Sequence, residues 1–323
     1  MSVQELDLAA TFLDVGHGDA AIVRFREAHQ VRTIVVDGGG PTHAGRLLAY
    51  LLRNGITVVD LLVATHVDRN HIAGLLQVAE SDRVTIDAFW GPSCESTQPS
   101  VPGLALPDER LYQRLYARIH GRVRPERLAS PARTTPPPSL FSEAVVTVLN
   151  PAVPNVLKVP QKDAPPKPQA LLVREQNELA MVLHIECHGI RFLLGSDGQA
   201  PFWTAASADP VLHRFLDVNI LKVPNYGRAA SLPAEAAGAL RTEYAVFSLS
   251  AKLDRQPSAE VVSLFRDMRA EVLCTEHTAV NSFCGNAHCH AADGGHNVVF
   301  CRSRGDASYS TSAYFCPHQA GQP

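Results

Sequence analysis

The 323-residue chain is long enough to bury one large hydrophobic core or two ordinary ones, since 46% of its residues are hydrophobic and 19% are charged. Its formal net charge of -3 excludes a general attraction to nucleic acid, so such binding needs a local basic patch or a metal ion. No uncharged apolar stretch reaches the length of a membrane span, and residues 1–8 lack the basic and apolar regions of an export signal. The seven cysteines are therefore expected as reduced thiols or metal ligands in a cytoplasmic protein.

The first 120 residues predict a small antiparallel meander followed by alternating strands and helices. Apolar runs at 9–14, 20–26 and 31–37 indicate the three strands of the meander, and the third run ends in a triple glycine. The further elements predicted are a helix at 42–54, a strand at 58–65, a helix at 72–80, a strand at 84–90 and a helix at 107–120.

Proline is frequent at 131–168, where it occurs as Pro136-Pro137-Pro138 and Pro165-Pro166. Such a segment does not pack as a helix or a central strand, so it is expected to be an exposed, flexible insertion, interrupted by one strand at 145–150. A segment of this kind also suits docking of a protein partner or control by proteolysis.

Regular patterns return after residue 180. The predicted elements are a hairpin of strands at 181–186 and 190–194, a strand at 218–223, a helix at 233–240, a strand at 244–249, a helix at 258–268 and a strand at 271–274. Strands that end in polar residues and are followed by helices occur in both halves. This mixed α/β order is typical of two sheets packed between helices.

The densest group of potential metal ligands is the segment 65–74, Thr-His-Val-Asp-Arg-Asn-His-Ile-Ala-Gly. His66, Asp68 and His71 directly follow a short apolar run, so a buried strand would present all three at one edge of a sheet. Imidazole nitrogens and a carboxylate together suit zinc, manganese or iron. The alternative is that both histidines only hydrogen-bond nearby carboxylates.

This segment resembles the metal-binding loop of the metallo-β-lactamase superfamily, T-H-x-H-x-D-H-x-x-G. Asp68 replaces a histidine and Asn70 replaces the usual aspartate. The chain is most similar to the ComEC-type branch of that superfamily, in which an aspartate at the position of Asp68 is normal. Further motifs of this branch are matched in order at residues 12–19, 37–39, 150–151, 177, 194–197, 221–227 and 256–258.

The resemblance implies an αββα sandwich over residues 1–275 and a metal site at the strand ends. The expected metal-binding and catalytic residues are His66, Asp68, His71 and Asp197, with Asn70 and Asn225 as weak amide donors. The superfamily has an aspartate and two histidines at the positions of Asn70, Asn225 and Gln256. Because an amide oxygen is neutral, these changes weaken cation binding, and at most one tightly bound zinc or manganese is expected.

Two functions follow from this pattern. The first is a metal-dependent hydrolase, a phosphodiesterase or nuclease in which a metal-activated water attacks phosphorus. The second is a catalytically inactive binding or regulatory module that keeps the fold without the full ligand set. Asp197 also fits a structural role in a turn, and Tyr226 fits either stacking on a base or simple packing.

A helix at 107–120 would carry Arg110, Arg114 and Arg118 on one face, because residues four apart are neighbours. Such a stripe can bind a phosphate backbone, but a solvated helix face is the more common role and is the interpretation favoured here.

The last fifth of the chain is rich in cysteine and histidine and lies outside the ComEC-type pattern. We expect a C-terminal extension at 276–323, with a hairpin at 298–303 and 309–315. A structural zinc ion would hold it through Cys274, Cys284, Cys289 and Cys301. The alternative is a set of scattered thiols, because the cysteines lack the sharp C-x-x-C spacing.

Overall fold

The fold is built on two mixed β-sheets. The computed structural model describes residues 6–95, 107–157, 175–250, 257–275, 297–303 and 310–312. The strands are β1 (Leu6–Phe12), β2 (Ala21–Glu27), β3 (Gln30–Val36), β4 (Val58–Val59), β5 (Leu61–Val63), β6 (Thr85–Ile86), β7 (Phe89–Trp90), β8 (Ser93–Cys94), β9 (Leu128–Ala129), β10 (Ala144–Asn150), β11 (Val156–Leu157), β12 (Val182–Cys187), β13 (Ile190–Leu194), β14 (Asp217–Lys222), β15 (Arg241–Phe247), β16 (Glu271–Cys274), β17 (Val298–Ser303) and β18 (Ser310–Ser312).

The first sheet has the order β18-β17-β1-β2-β3-β5-β7-β9, and the second has the order β10-β12-β13-β14-β15-β16. In the first sheet β1, β2 and β3 form the predicted antiparallel meander, and β5, β7 and β9 continue it in parallel. In the second sheet β10, β12 and β13 are antiparallel, and β14 to β16 are parallel to β13. Short parallel pairs join β4 to β6 and β8 to β11.

Helices cover the outer face of each sheet. They are α1 (Gly45–Arg53), α2 (Arg69–Glu80), α3 (Pro107–His120), α4 (Ala200–Ala208), α5 (Pro210–His213), α6 (Ala234–Ala239) and α7 (Ala259–Asp267). Leu47, Leu75 and Leu115, from α1, α2 and α3, pack in one apolar cluster with the first sheet. Trp203 and Phe265, from α4 and α7, pack in another cluster with the second sheet.

The two sheets pack face to face through a third apolar cluster. Phe12 and Phe25 of the first sheet meet Leu183, Phe192 and Ile220 of the second in this inner layer. Because side chains alternate along a strand, each sheet supplies one face to this layer and the other to its helices. The predicted αββα sandwich is confirmed.

Glycine allows α2 to pack directly on the end of β3. A Cβ atom on Gly74 would lie 1.9 Å from the carbonyl oxygen of Gly38, and a Cβ atom on Gly38 would lie 2.5 Å from the main-chain nitrogen of Leu75. The Gly38 N–H donates to the His71 carbonyl at 2.7 Å. This contact holds His71, in the first turn of α2, beside Asp37 at the end of β3.

The structure differs from the predicted elements at several places, among them the predicted strand at 84–90, which is divided into β6 and β7. Helix α2 begins at Arg69, before the predicted residue 72, because the Asp68 carboxylate caps it by accepting the Asn70 N–H at 2.7 Å. The predicted strand at 58–65 is divided into β4 and β5 around Asp60, whose carboxylate accepts the Thr33 N–H at 2.7 Å. Helices α4 and α5 were not predicted.

The proline-rich segment is described only at 131–157, where it forms β10 and β11. Residues 158–168 lie outside the described residues, and flexibility of the segment stays a prediction. The predicted C-terminal hairpin is present as β17 and β18, and β17 pairs with β1, so that β18 is the edge strand of the first sheet. The domain boundary at 275 also stays a prediction. Within the described parts of the chain, no helix combines the length and apolar character needed to cross a membrane.

Candidate metal centre

Four strand ends of the two sheets bring polar side chains into one buried group. β3 ends before Asp37, β5 ends before the loop with Thr65 and His66, and β13 ends before Asp197. Lys222 is the last residue of β14. Crevices at the carboxyl ends of parallel strands are the usual sites of ligand binding in α/β folds.

Asp37 organises the first-sheet side of this group and is 1% exposed. Its Oδ1 accepts the Thr65 N–H at 2.9 Å. Its Oδ2 accepts the Thr65 hydroxyl at 2.8 Å and lies 2.8 Å from His71 Nδ1. Asp37 therefore orients both Thr65 and His71 within the group.

The hydrogen bonds of Thr65 fix the tautomer of His66. A hydroxyl group has one proton and two lone pairs, and the proton of Thr65 is donated to Asp37. Thr65 Oγ1 accepts the Ser196 hydroxyl at 2.7 Å and lies 3.0 Å from His66 Nδ1. His66 Nδ1 must therefore carry a proton and donate it to Thr65. The lone pair of His66 is then on Nε2, which is buried without a hydrogen-bond partner among the described residues.

His71 is oriented in the same way by Asp37. A proton on Nδ1, donated to Asp37, leaves Nε2 to face the group, where it lies 3.2 Å from the Tyr226 hydroxyl and 3.4 Å from Asp197 Oδ1. Burial disfavours the charged imidazole, but the carboxylates of Asp197 and Asp37 outweigh burial and raise the pKa of His71 well above its ordinary value. In the absence of a metal ion, a proton on His71 therefore neutralises part of the negative charge of the group.

Asp197 completes the group from the second sheet. Its Oδ2 lies 3.8 Å from His66 Nε2 and accepts the Asn177 amide at 3.3 Å, while its Oδ1 has only the long ionic contact to His71. Burial raises the pKa of this carboxyl, but His71 and then His66 and Lys222 reverse that effect and lower it. Burial and the neighbouring His71 lower the pKa of His66, so His66 is the neutral imidazole of the pair.

One ligand atom from each of His66, His71 and Asp197 lies within 4.8 Å of the others. Two of these ligand atoms, His66 Nε2 and Asp197 Oδ1, are buried and have no hydrogen-bond partner within the described chain. Buried polar atoms without partners are costly, and a cation bound among them would satisfy both. A carboxylate hydrogen-bonded to the far nitrogen of a ligating histidine is a common feature of metal sites, and Asp37 provides it for His71. The residues therefore fit one divalent cation.

Metal binding by the three other expected ligands stays a prediction. The Asp68 carboxylate caps α2, as described above, and the Asn225 amide donates to Ser231 Oγ at 3.0 Å. Asn70 is half-buried. Gln256 lies outside the described residues.

The sequence did not identify Lys222 and Asp19 as site residues. Lys222 is 3% exposed, and its ammonium group is paired with Asp19 Oδ2 and lies 5.3 Å from the centre of the Tyr226 ring. Asp19 also belongs to a second possible metal-binding group, formed with Asp37 and His71. His17 lies beside the site, 5.1 Å from Tyr226 between ring centres, and burial lowers its pKa. The matched motifs at 12–19 and 221–227 contain these residues, but the motifs do not show that the residues meet.

No protein-family model matches the chain, and no curated protein matches it. Solved structures match it at low similarity. The αββα architecture of the chain is the one that the resemblance to the metallo-β-lactamase superfamily implied. A diphosphatase of the PhnP family is 12% identical, and the match covers 82% of this chain and 85% of that one with a TM-score of 0.39. A mutant of the CmlA β-hydroxylase is 14% identical, and the match covers 82% of this chain and 45% of that one with a TM-score of 0.36. The Rm3 metallo-β-lactamase is 13% identical, and the match covers 68% of this chain and 79% of that one with a TM-score of 0.33. These similarities concern the fold alone.

The cysteines predicted to bind a structural zinc do not all converge. Cys274 packs in the apolar cluster beneath the helices of the second sheet. Cys301 lies opposite Ala9 on the neighbouring strand, and Ala9 lies opposite Arg24. All three side chains therefore point to the face of the first sheet that turns toward α1. One zinc ion cannot bind both thiols, because they lie on opposite outer faces of the sandwich and the sheets alone are about 10 Å apart. Cys284 and Cys289 lie outside the described residues.

The arginine stripe of α3 contacts its neighbouring helix. Arg114 and Arg118 lie 2.9 and 3.9 Å from the Glu80 carboxylate at the end of α2. These contacts agree with the interpretation of a solvated, ion-paired helix face, and they give no support for a nucleic-acid interface there.

Proposed function

We propose that this protein is a metal-dependent hydrolase that binds one divalent cation through His66, His71 and Asp197. The observation that carries the proposal is the hydrogen-bond chain through Thr65 and Asp37, which turns Nε2 of both histidines toward Asp197. Three protein ligands with a further open position are typical of catalytic rather than structural metal sites. Two imidazoles and one carboxylate suit zinc or manganese.

Phosphoester bonds, in a phosphodiester or nucleic acid, are the proposed substrates. The resemblance to the ComEC-type branch motivates this class. The exposed Arg228, which is close enough to influence His17 electrostatically, supplies positive charge near the site and supports it. A bound cation would polarise a phosphoryl oxygen and lower the pKa of a coordinated water.

The protein's own residues would hold and orient these groups. Asp37 and Thr65 keep the imidazoles in the ligating tautomer, and Lys222 with Asp19 forms a buried ion pair beside them. His17 is half-buried beside Tyr226, and its lowered pKa leaves the imidazole neutral near pH 7 and able to accept a proton.

The test combines metal analysis with turnover. Purified protein would be loaded with manganese or zinc, analysed by mass spectrometry, and assayed on bis(p-nitrophenyl) phosphate and single-stranded DNA. We expect about one ion per chain at this site and measurable cleavage. Asp197→Asn should abolish both, whereas Asp82→Asn, at an exposed loop position, should change neither. Cleavage that survives Asp197→Asn or metal removal would refute the proposal.

A second candidate is a non-catalytic module that binds a partner or a ligand. The observation in its favour is that the side chains of Asp68 and Asn225 are used by the protein itself, as a helix cap and as a donor to Ser231. Stoichiometric metal binding with no turnover on either substrate would favour the module over the enzyme.

A further inference from the structure

A groove with a volume of about 400 Å³ lies along β10, and its lining residues do not include His66, His71 or Asp197. This volume is within the range of known ligand-binding pockets. Its lining comes from Trp90 at the end of β7, from parts of the segment 133–149, and from residues 211–215 at α5 and just after it. The groove is therefore bounded by the first sheet on one side and by the helix layer of the second sheet on the other.

The groove follows the edge of β10 rather than one of its faces. All six residues from Ala144 to Leu149 line it, and successive residues of a strand point to opposite faces. A cavity that contacts all of them must run along the strand's edge. β10 is the outermost strand of its sheet and pairs only with β12, and no other main-chain hydrogen bond involves residues 144–149 within the described chain.

Over residues 145–149 this edge lacks two of the features that commonly protect an edge strand, a charged side chain and a proline. Residues 145–149 read Val-Val-Thr-Val-Leu, without a charge or a proline, although charge, proline and coverage are the usual means of preventing unwanted pairing. Val145 and Val211 are each 61% exposed, the highest values among the large hydrophobic side chains of the described residues. Both line the groove. Its surface is therefore suited to burial by a partner strand.

The charge of the groove selects among possible occupants. Arg133 and Arg214 line it, and no acidic residue does. The Arg214 guanidinium stacks on Phe215 at 4.6 Å from the ring centre, and Arg133 is only loosely paired with Asp209 at 4.0 Å. A second copy of this chain docked symmetrically would bring the same arginines together, which is unfavourable. An occupant with an acidic side chain would be attracted.

We propose that this groove binds an extended peptide segment of a partner protein, which adds a strand to β10 and directs an acidic side chain at Arg133 and Arg214. Strand addition supplies main-chain hydrogen bonds along the open edge, and pockets for alternate side chains supply specificity. Trp90, Phe141 and Phe215 form the apolar surface for those side chains. This inference does not depend on the proposed hydrolase activity.

The experiment uses fluorescein-labelled peptides in which valine alternates with glutamate, and matched peptides in which lysine replaces glutamate. Binding is measured by fluorescence anisotropy, and the binding site by hydrogen–deuterium exchange on the full chain. The glutamate peptide should slow exchange at 144–149 and bind about tenfold more tightly than the lysine peptide. Arg133→Glu with Arg214→Glu should reverse this preference, whereas Arg83→Glu and Val58→Asp, at exposed positions on other elements, should not.

Three outcomes would overturn the proposal. The first is unchanged exchange at 144–149 at millimolar peptide. The second is a charge preference that persists in the double arginine variant. The third is protection of 144–149 that rises with protein concentration without peptide, which would identify a second copy of the chain as the occupant.

Discussion

Replacing Thr65 with valine removes one hydroxyl group on which both site histidines depend. That hydroxyl donates to Asp37 and accepts from Ser196 and from His66 Nδ1. Valine preserves the branched shape of threonine but offers no acceptor. His66 Nδ1–H and the Ser196 hydroxyl would then lose their partner in a region where both residues are at most 3% exposed.

The expected cost follows from these three bonds. A buried polar group left unpaired costs about 1–3 kcal/mol, and the bond to ionised Asp37 is among the stronger kind. Some relaxation of Ser196 will recover part of the loss, so Thr65→Val should destabilise the metal-free protein by about 3 kcal/mol. The His66 ring would no longer be held with Nε2 toward Asp197. Loss of such a supporting bond typically lowers metal affinity by about 10–100-fold.

Urea unfolding measures the first effect, and calorimetric titration with manganese or zinc measures the second. Thr65→Ser is the matched control, because it keeps the hydroxyl and should retain most of the metal affinity. Wild-type affinity in a folded Thr65→Val variant would refute the reasoning. It would mean either that Thr65 does not set the His66 tautomer or that His66 is not a ligand.

Three other changes test separate contacts. Burial lowers the pKa of His184 to about 4, so the folded protein holds this imidazole in its neutral form. The free energy of unfolding is therefore fully retained above the pKa of the unfolded chain, and it falls as the pH drops toward the folded pKa. Urea unfolding should show that the wild type loses about 2 kcal/mol more than His184→Gln between about pH 7.5 and pH 5, and equal losses would contradict the burial effect. Gly74→Ala should destabilise the fold by at least about 3 kcal/mol, because the new methyl group would overlap the Gly38 carbonyl, and a melting temperature like that of the wild type would argue against this close approach. Lys222→Met should cost about 3–5 kcal/mol by leaving Asp19 as a buried unpaired charge; a loss below about 1 kcal/mol would show that the ion pair is not needed.

Much of the fold followed from local patterns in the sequence. The meander, the helix at Pro107–His120 and the strand at Glu271–Cys274 were predicted within a few residues of their observed bounds. The short α4 and α5 were not predicted, although Pro201 and Pro210 each lie in the first turn of a helix, where proline is favourable. Their apolar residues do not follow a clear helical repeat, so periodicity alone gave no signal.

The candidate site was predictable in part. The convergence of His66, His71 and Asp197 followed from motifs that place each residue at a strand end or just after one. The capping role of Asp68 had a local signal as well, since an aspartate directly before a helix is a common N-cap. That signal competes with the metal-ligand interpretation for the same carboxylate, and the motif alone does not separate them.

Contacts between the two sheets had no local signal. The pair formed by Lys222 and Asp19 joins residues 203 positions apart, and Ser196 reaches Thr65 across 131 positions. Each residue, considered alone, is an ordinary strand-end or turn residue. Only the packing of one sheet on the other brings them together, so the tautomers of the histidines could not be derived from the sequence.

The pairing of β17 with β1 has a consequence for how the protein is made. On a ribosome, β1 emerges before the second sheet, but β17, which covers one of its edges, emerges only after it. The first sheet can therefore be completed only after the whole second sheet has been translated. Until then β1 presents an open, aggregation-prone edge, and the nascent chain should depend on chaperones during that interval.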